Sequence, residues 1–201
     1  MTKGKFIVLY GINNLGKTTQ AKMLVDWLNN NGISAVYQKY PVYDLAPTGP
    51  RINSYLRDGN PERLTPLQFQ QLQVQNREDF EPILKRYLDA GVWVIAEDYK
   101  GTGIAWGVGA GVDLAYLEEK NSHLLDEDIV FLFDGERFTS GIEKGHTHEQ
   151  NNDLTQKVRT IHLLLGEHKG WITVNANRGK EEIQAEIRKH IINKFNLVAT
   201  P

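Results

Sequence analysis

The stretch "GINNLGKTTQ" sets Gly11, Gly16, Lys17 and Thr18 in the spacing G-x-x-x-x-G-K-T, which suits a polyphosphate. Glycine at both ends lets the backbone fold closely around oxygen atoms. Successive N–H groups and the positive end of a following helix then face the anion. Lys17 adds a mobile cation, and Thr18 offers a hydroxyl to Mg2+, a hard ion that prefers oxygen ligands and keeps several waters. Asn13, Asn14 and Thr19 complete the candidate contacts. The pattern predicts ATP or GTP binding with Mg2+. It leaves open what the nucleotide is used for, because this loop serves kinases, GTPases, motors and binding modules alike.

A second group stands at "VIAEDYKGTG", where an apolar run ends in the adjacent acids Glu97 and Asp98. A phosphate site would be expected to place a cation there. Two readings compete: either acid holds Mg2+ through water at a strand end facing the phosphates, or one of them caps the turn that follows.

These groups need a scaffold. Short apolar runs at "KFIVLY", "SAVYQ", "VWVIA", "DIVFLF" and "WITV" are continuous rather than alternating, as in strands buried on both faces of a parallel sheet. Helical spacing covers Thr18 to Asn30, Pro66 to Ala90, about Ile104 to Asn121, Leu154 to His168 and Lys180 to Phe195. Alternating strand and helix builds a three-layer α/β domain whose ligands sit at the carboxyl ends of the strands. With the glycine-rich loop after the first strand, the expected fold is the P-loop NTPase type with a five-stranded parallel sheet.

Composition narrows the rest. At 201 residues one domain, 1–201, is expected. A formal charge of −2 gives no basic field for a nucleic-acid polymer. The absence of cysteine excludes disulfides and thiolate metal sites, and fits the cytoplasm. No apolar run approaches the ~20 residues of a membrane span, and "MTKGKFIVLYG" is too soon interrupted for a secretory leader.

The order of further motifs resembles the thymidylate kinases, the P-loop nucleoside monophosphate kinases that phosphorylate dTMP. "YQKYPVYDLAPTGPRINSYLRDGN" is similar to that family's arginine-aromatic-proline segment and the helix after it. "LQVQNREDFEPILKRYLDAG" resembles its helix with an asparagine-arginine pair, and "VWVIAEDYKGTGIAWGVGAG" its strand ending in Asp-Arg-Tyr. The resemblance runs on through "LLDEDIVFLFDGER", "KVRTIHLLL" and "GWITVNANRGKEEI". It implies that ATP phosphorylates a small nucleotide, most simply dTMP to dTDP, and that the protein is a homodimer. By the same resemblance Arg77 contacts the base, Gln73 and Gln75 flank it where the family has an aromatic and a small residue, Tyr99 helps hold the substrate and Trp106 stands beside the deoxyribose. Lys39 and Tyr40 take the places of the family's arginine and aromatic residue before the proline, and Lys39 and Arg51 become candidate phosphate clamps. A lid is expected at about 138–154, with Lys144 inside it and Arg137 and Arg159 at its flanks.

Several positions depart from the family. Asn13 replaces its P-loop aspartate, and Glu97-Asp98-Tyr99 replaces Asp-Arg-Tyr. Asp98 brings a like charge toward the acceptor phosphate, so the acid function is expected to have moved from the loop to Glu97 or Asp98, making Lys17, Glu97 and Asp98 the catalytic candidates and Thr18 and Glu97 the metal-holding ones. The arginine-poor lid implies either slower transfer or that Arg159 reaches in. These departures keep two other readings open: a deoxynucleoside kinase using Glu97 as base, and a catalytically weak nucleotide-binding protein. "HTHE", residues 146–149, reads as a polar loop rather than a metal site. "GTGIAWG" fails as a dinucleotide fingerprint because Trp106 stands where the third glycine belongs.

Overall fold

A computed structural model describes residues 2–138 and 152–197. Strand β1 (Phe6–Tyr10) leads through the glycine-rich loop into α1 (Lys17–Asn30), and β2 (Ala35–Lys39) is followed by α2 (Thr48–Arg57) and α3 (Pro66–Asp89). After β3 (Trp93–Glu97) come α4 (Lys100–Gly109) and α5 (Leu114–Asn121). The described chain ends with β4 (Ile129–Asp134), α6 (Asn152–Lys169), β5 (Ile172–Asn175) and α7 (Lys180–Phe195).

The five strands form one sheet in the order β2-β3-β1-β4-β5, and every neighbouring pair is parallel. All five residues of β1 are fully buried, as the continuous apolar runs require. Ile7 and Leu9 pack on one face with Leu24 and Leu28 of α1 and Ile187 and Ile191 of α7. Phe6, Val8 and Tyr10 pack on the other with Phe80, Leu84 and Leu88 of α3. The connections of β1 diverge to β3 on one side and β4 on the other, which opens a crevice at its carboxyl end.

The sequence expectation differs from the structure in two elements. The helix anticipated over 104–121 is two helices: Gly111 adopts φ +91° and Asp113 starts α5 by accepting the Tyr116 amide through Oδ1 at 2.8 Å. A left-handed residue followed by an N-cap ends one helix and begins another. The loop-like "PVYDLAPTGP" also ends inside α2, which begins at Thr48. Of the expected lid, 139–151 lies outside the described residues, including Lys144 and "HTHE", and Asn152 to Leu154 already belongs to α6.

Candidate active site

Strand register brings the acids to the loop. Leu9 pairs with Glu97 across β1 and β3, so the chain leaves β1 into the glycine-rich loop beside the point where β3 delivers Glu97. Lys39 pairs with Glu97 from the other side. Tyr37, two residues earlier on β2, shares the face of Lys39 by the period of a strand.

Glu97 is consequently gripped by three donors. Thr18 Oγ1 and Tyr37 Oη each donate to Oε2 at 2.6 Å, and Lys39 Nζ donates to Oε1 at 3.2 Å. Burial alone would push this carboxyl up, but Lys17 and Lys39 together with the Thr18 and Tyr37 hydroxyls outweigh it and hold Glu97 below the ordinary carboxylate range. The same burial and the nearby Glu97 push the Tyr37 phenol well up.

Asp98 lies under opposite control. Burial and the Glu97 charge push it up, against Lys17, Lys39 and a Thr102 hydroxyl that donates to Oδ1 at 2.8 Å. Its backbone takes φ +63°, a left-handed conformation that Asp tolerates better than most residues. Lys17 Nζ donates to the carbonyls of Gly11 and Ile12 at 2.9 and 2.8 Å and stands 3.8 Å from Asp98 Oδ1. The lysine is folded back on its own loop. Gly11 is sterically required: with φ +135°, a Cβ there would stand 2.5 Å from the Phe133 carbonyl.

A cavity of about 370 Å³ runs from this loop to α3 and α4. Its far wall is Arg77, which is buried and donates through Nη1 to Asn121 Oδ1 and through Nη2 to Gln73 Oε1, each at 3.2 Å. The backbone of α4 closes on this guanidinium so tightly that a Cβ at Gly103 would stand 2.2 Å from Nη2. The glycines of "GTGIAWG" thus provide close packing. Arg77 Nε and the hydroxyls of Tyr40 and Tyr99 are buried without a protein partner, and all three residues line the cavity. Buried polar atoms of this kind suit a polar, ring-shaped ligand that supplies the missing hydrogen bonds.

Among the residues singled out in the sequence, Asn13, Asn14, Gly16, Lys17, Thr18 and Thr19 line the near end. Lys39, Tyr40, Gln73, Arg77, Glu97, Asp98, Tyr99 and Trp106 line the remainder. Others lie elsewhere. Arg51 is exposed and forks onto Glu62, with Nη2 at 2.6 Å from Oε2, because its position on α2 faces away from the sheet. Arg159 pairs in two-pronged fashion with Asp134 at 2.5 and 2.9 Å. Neither it nor Arg137 reaches the cavity wall. Gln75 is exposed and donates to Asp79, leaving Gln73 alone at the base end.

Sequence reasoning missed Tyr43, Arg57 and Thr102, which line the cavity, and gave Phe138, which lines it too, only as the start of the expected lid. Phe138 is held by its amide, which donates to the Asn14 carbonyl at 2.9 Å. Asn76 was also missed. Fully buried, it donates to the Val42 carbonyl at 3.0 Å and to Thr48 Oγ1 at 2.9 Å, and accepts the Val42 amide at 2.7 Å. It therefore stitches the segment after β2 to α3. Its adjacency to Arg77 in "QNRED" was the available signal.

Comparison with known proteins adds to this geometry. Residues 9–187 match the model of a family described as thymidylate kinase. A thymidylate kinase of Plasmodium falciparum is 26% identical over 192 residues, covering 94% of this chain and 90% of that protein. Among solved structures, a thymidylate kinase from Candida albicans superposes with a TM-score of 0.80 at 20% identity, covering 96% of this chain and 93% of the other. One from Ehrlichia chaffeensis superposes with a TM-score of 0.74 at 19% identity, covering 94% and 99% respectively.

Proposed function

Because the chain belongs to the thymidylate kinase family, it is an ATP-dependent kinase that phosphorylates dTMP to dTDP, and we propose the following division of labour among its residues. The observation that carries this reading is the bond between Thr18 and Glu97 at 2.6 Å, which joins the phosphate loop to the acceptor side of one cavity. The loop amides around Asn13 to Thr19 hold the ATP phosphates, and Lys17 leaves the Gly11 and Ile12 carbonyls to meet them. Glu97 accepts the hydrogen bond of the Thr18 hydroxyl, which leaves the Thr18 oxygen lone pairs turned toward the phosphates. Lys39 and Tyr37 keep Glu97 in place for that task.

The donor set suits Mg2+: a threonine hydroxyl flanked by carboxylates is hard oxygen chemistry, and no group of three or more His, Cys, Asp or Glu side chains capable of caging a metal occurs among the described residues. Such a site fits an ion that keeps waters and binds through substrate phosphates. When bound, the ion would supply positive charge that offsets the negative charge developing during transfer. Thr18 would hold it, with Glu97 or Asp98 acting through water.

At the other end, Arg77 and Gln73 receive the base, and Tyr40, Tyr99 and Trp106 enclose the sugar. Burial of the acceptor among them aligns its phosphate with the donor and excludes water. We further infer a single domain, 1–201, supported by the single sheet that all five strands enter. We also infer a homodimer and a cytoplasmic location, on the family resemblance; of the lid expected over 138–154, residues 139–151 lie outside the described residues. The location also agrees with the lack of cysteine and with the absence, among described residues, of a helix long and apolar enough to cross a membrane.

The test is ADP release by the purified chain with ATP and Mg2+ across a panel of nucleoside monophosphates. Turnover greatest with dTMP is expected. Equal turnover with every monophosphate would defeat the assignment of Arg77 and Gln73 to the base.

A further inference from the structure

We propose that Tyr10, the last residue of β1, is a positioning residue for the acceptor nucleotide, its hydroxyl setting where α4 stands relative to the phosphate loop. The inference rests on the reading above that the end of the cavity walled by α3 and α4 takes the acceptor. Tyr10 is fully buried and is followed at once by Gly11 of the loop. Its Oη accepts the Gly101 amide at 3.1 Å. That amide belongs to the first turn of α4, where backbone N–H groups lack carbonyls within the helix, and the N-cap residue Tyr99 makes no side-chain capping bond. The tyrosine thus gives the helix, from a strand across the fold, the acceptor that a capping side chain ordinarily gives.

The hydroxyl is oriented for this task. It donates to Glu127 Oε1, which leaves its own lone pairs for Gly101. Burial and the Glu127 charge push the phenol up, so the proton stays on the tyrosine. The Glu127 side chain is itself largely buried, with Lys100 Nζ 3.7 Å from its other oxygen. Packing is close as well. A Cβ at Gly101 would stand 2.7 Å from both Tyr10 Cε2 and Trp171 Cη2, and the Trp171 and Tyr10 rings lie 4.6 Å apart between centroids. Beyond Gly101 the same helix carries Thr102, which holds Asp98, then Gly103, which closes on Arg77, and then Trp106 of the cavity wall. A shift in the first turn of α4 therefore displaces the acceptor wall more than the phosphate loop.

The experiment is steady-state kinetics of the full chain, with dTMP varied at saturating ATP and ATP varied at saturating dTMP, for wild type, Tyr10→Phe, Glu127→Gln and the double variant, beside a melting curve for each. Tyr10→Phe removes one hydroxyl and keeps the ring. It is expected to lower kcat/KM for dTMP about 3- to 10-fold while the KM for ATP stays within about 2-fold. Glu127→Gln should act in the same direction by less, and the double variant should be no worse than Tyr10→Phe, because Glu127 works through the hydroxyl. A Tyr10→Phe chain with kcat/KM for dTMP unchanged, or with both substrates affected alike, overturns the inference whatever its melting temperature, since the hydroxyl is then only a structural support. Additive losses in the double variant overturn it too. A KM raised for ATP and not for dTMP would instead put α4 on the donor side and overturn the reading on which the inference rests.

Discussion

Replacing Glu97 by Gln removes one charge and little volume from the point where donor loop, strand β2 and strand β3 meet. The carboxylate accepts from Thr18 and Tyr37 through one oxygen and from Lys39 through the other. A glutamine has one acceptor oxygen and must turn its amide hydrogens toward a donor. If the oxygen stays with Thr18 and Tyr37, Lys39 loses its partner; if it turns to Lys39, the two hydroxyls lose theirs. Losing one hydrogen bond to a charged group costs about 1.5–3 kcal/mol. Felt fully in the transition state through a misplaced Thr18 hydroxyl, that becomes roughly 10- to 150-fold in kcat/KM. The assay is initial-rate ADP release at saturating ATP, with dTMP and magnesium varied, beside a melting curve. A raised magnesium requirement should accompany the fall in rate. If Glu97→Gln keeps kcat/KM and the magnesium midpoint within about 2-fold of wild type, below the smallest single-bond effect, Glu97 does not organise the phosphate end and the reasoning fails.

Other consequences follow from the same geometry. Asp98 is pushed up by burial, so its contribution to stability is present below its ordinary value of 3.8 and is lost as pH rises through the higher folded value. Asp98→Asn, which retains tolerance of a left-handed backbone, should therefore melt higher than wild type at pH 7, and the gain should vanish in scans carried below pH 3.8. Glu97 has the opposite sign: the stabilisation it gives over Gln should hold at neutral pH and shrink as pH falls below its ordinary value of 4.5. Gly103→Ala sets a methyl 2.2 Å from Arg77 Nη2, and the displaced guanidinium should raise the KM for dTMP more than the KM for ATP in steady-state kinetics. Asn76→Ala leaves the Val42 amide and carbonyl without their partner. A loss of about 2–4 kcal/mol is expected, visible in urea unfolding as a lower midpoint at unchanged slope.

The phosphate end was legible because its determinants are local. Gly11, Gly16, Lys17 and Thr18 fall within eight consecutive residues and carry their own turn, so strand, loop and helix could be read together. Continuous apolar runs likewise marked the central strands β1, β3 and β4, which are buried almost throughout, since burial on both faces leaves a period-free signature. The acceptor end depends on contacts across the fold. Arg57 lies near Tyr43 because α2 turns back over the segment after β2, and Arg51, six residues earlier, faces away toward Glu62. Two arginines on one helix were indistinguishable until the face it buries was known. The break between α4 and α5 hid in an apolar stretch whose small residues satisfy helical spacing on both sides of Gly111. The pairing of Lys39 with Glu97 required strand order, since residues 58 apart in sequence meet only when β2 and β3 are neighbours in register.

This cavity moves a phosphoryl group from ATP onto the phosphate of dTMP despite the acids at 97 and 98. The most direct test supplies γ-labelled ATP and Mg2+ with either dTMP or thymidine and separates the products by chromatography. Label appearing in dTDP, with thymidine left unlabelled, is the predicted result. Label appearing in dTMP made from thymidine, or label that stays in ATP while the nucleotide is bound, would contradict it.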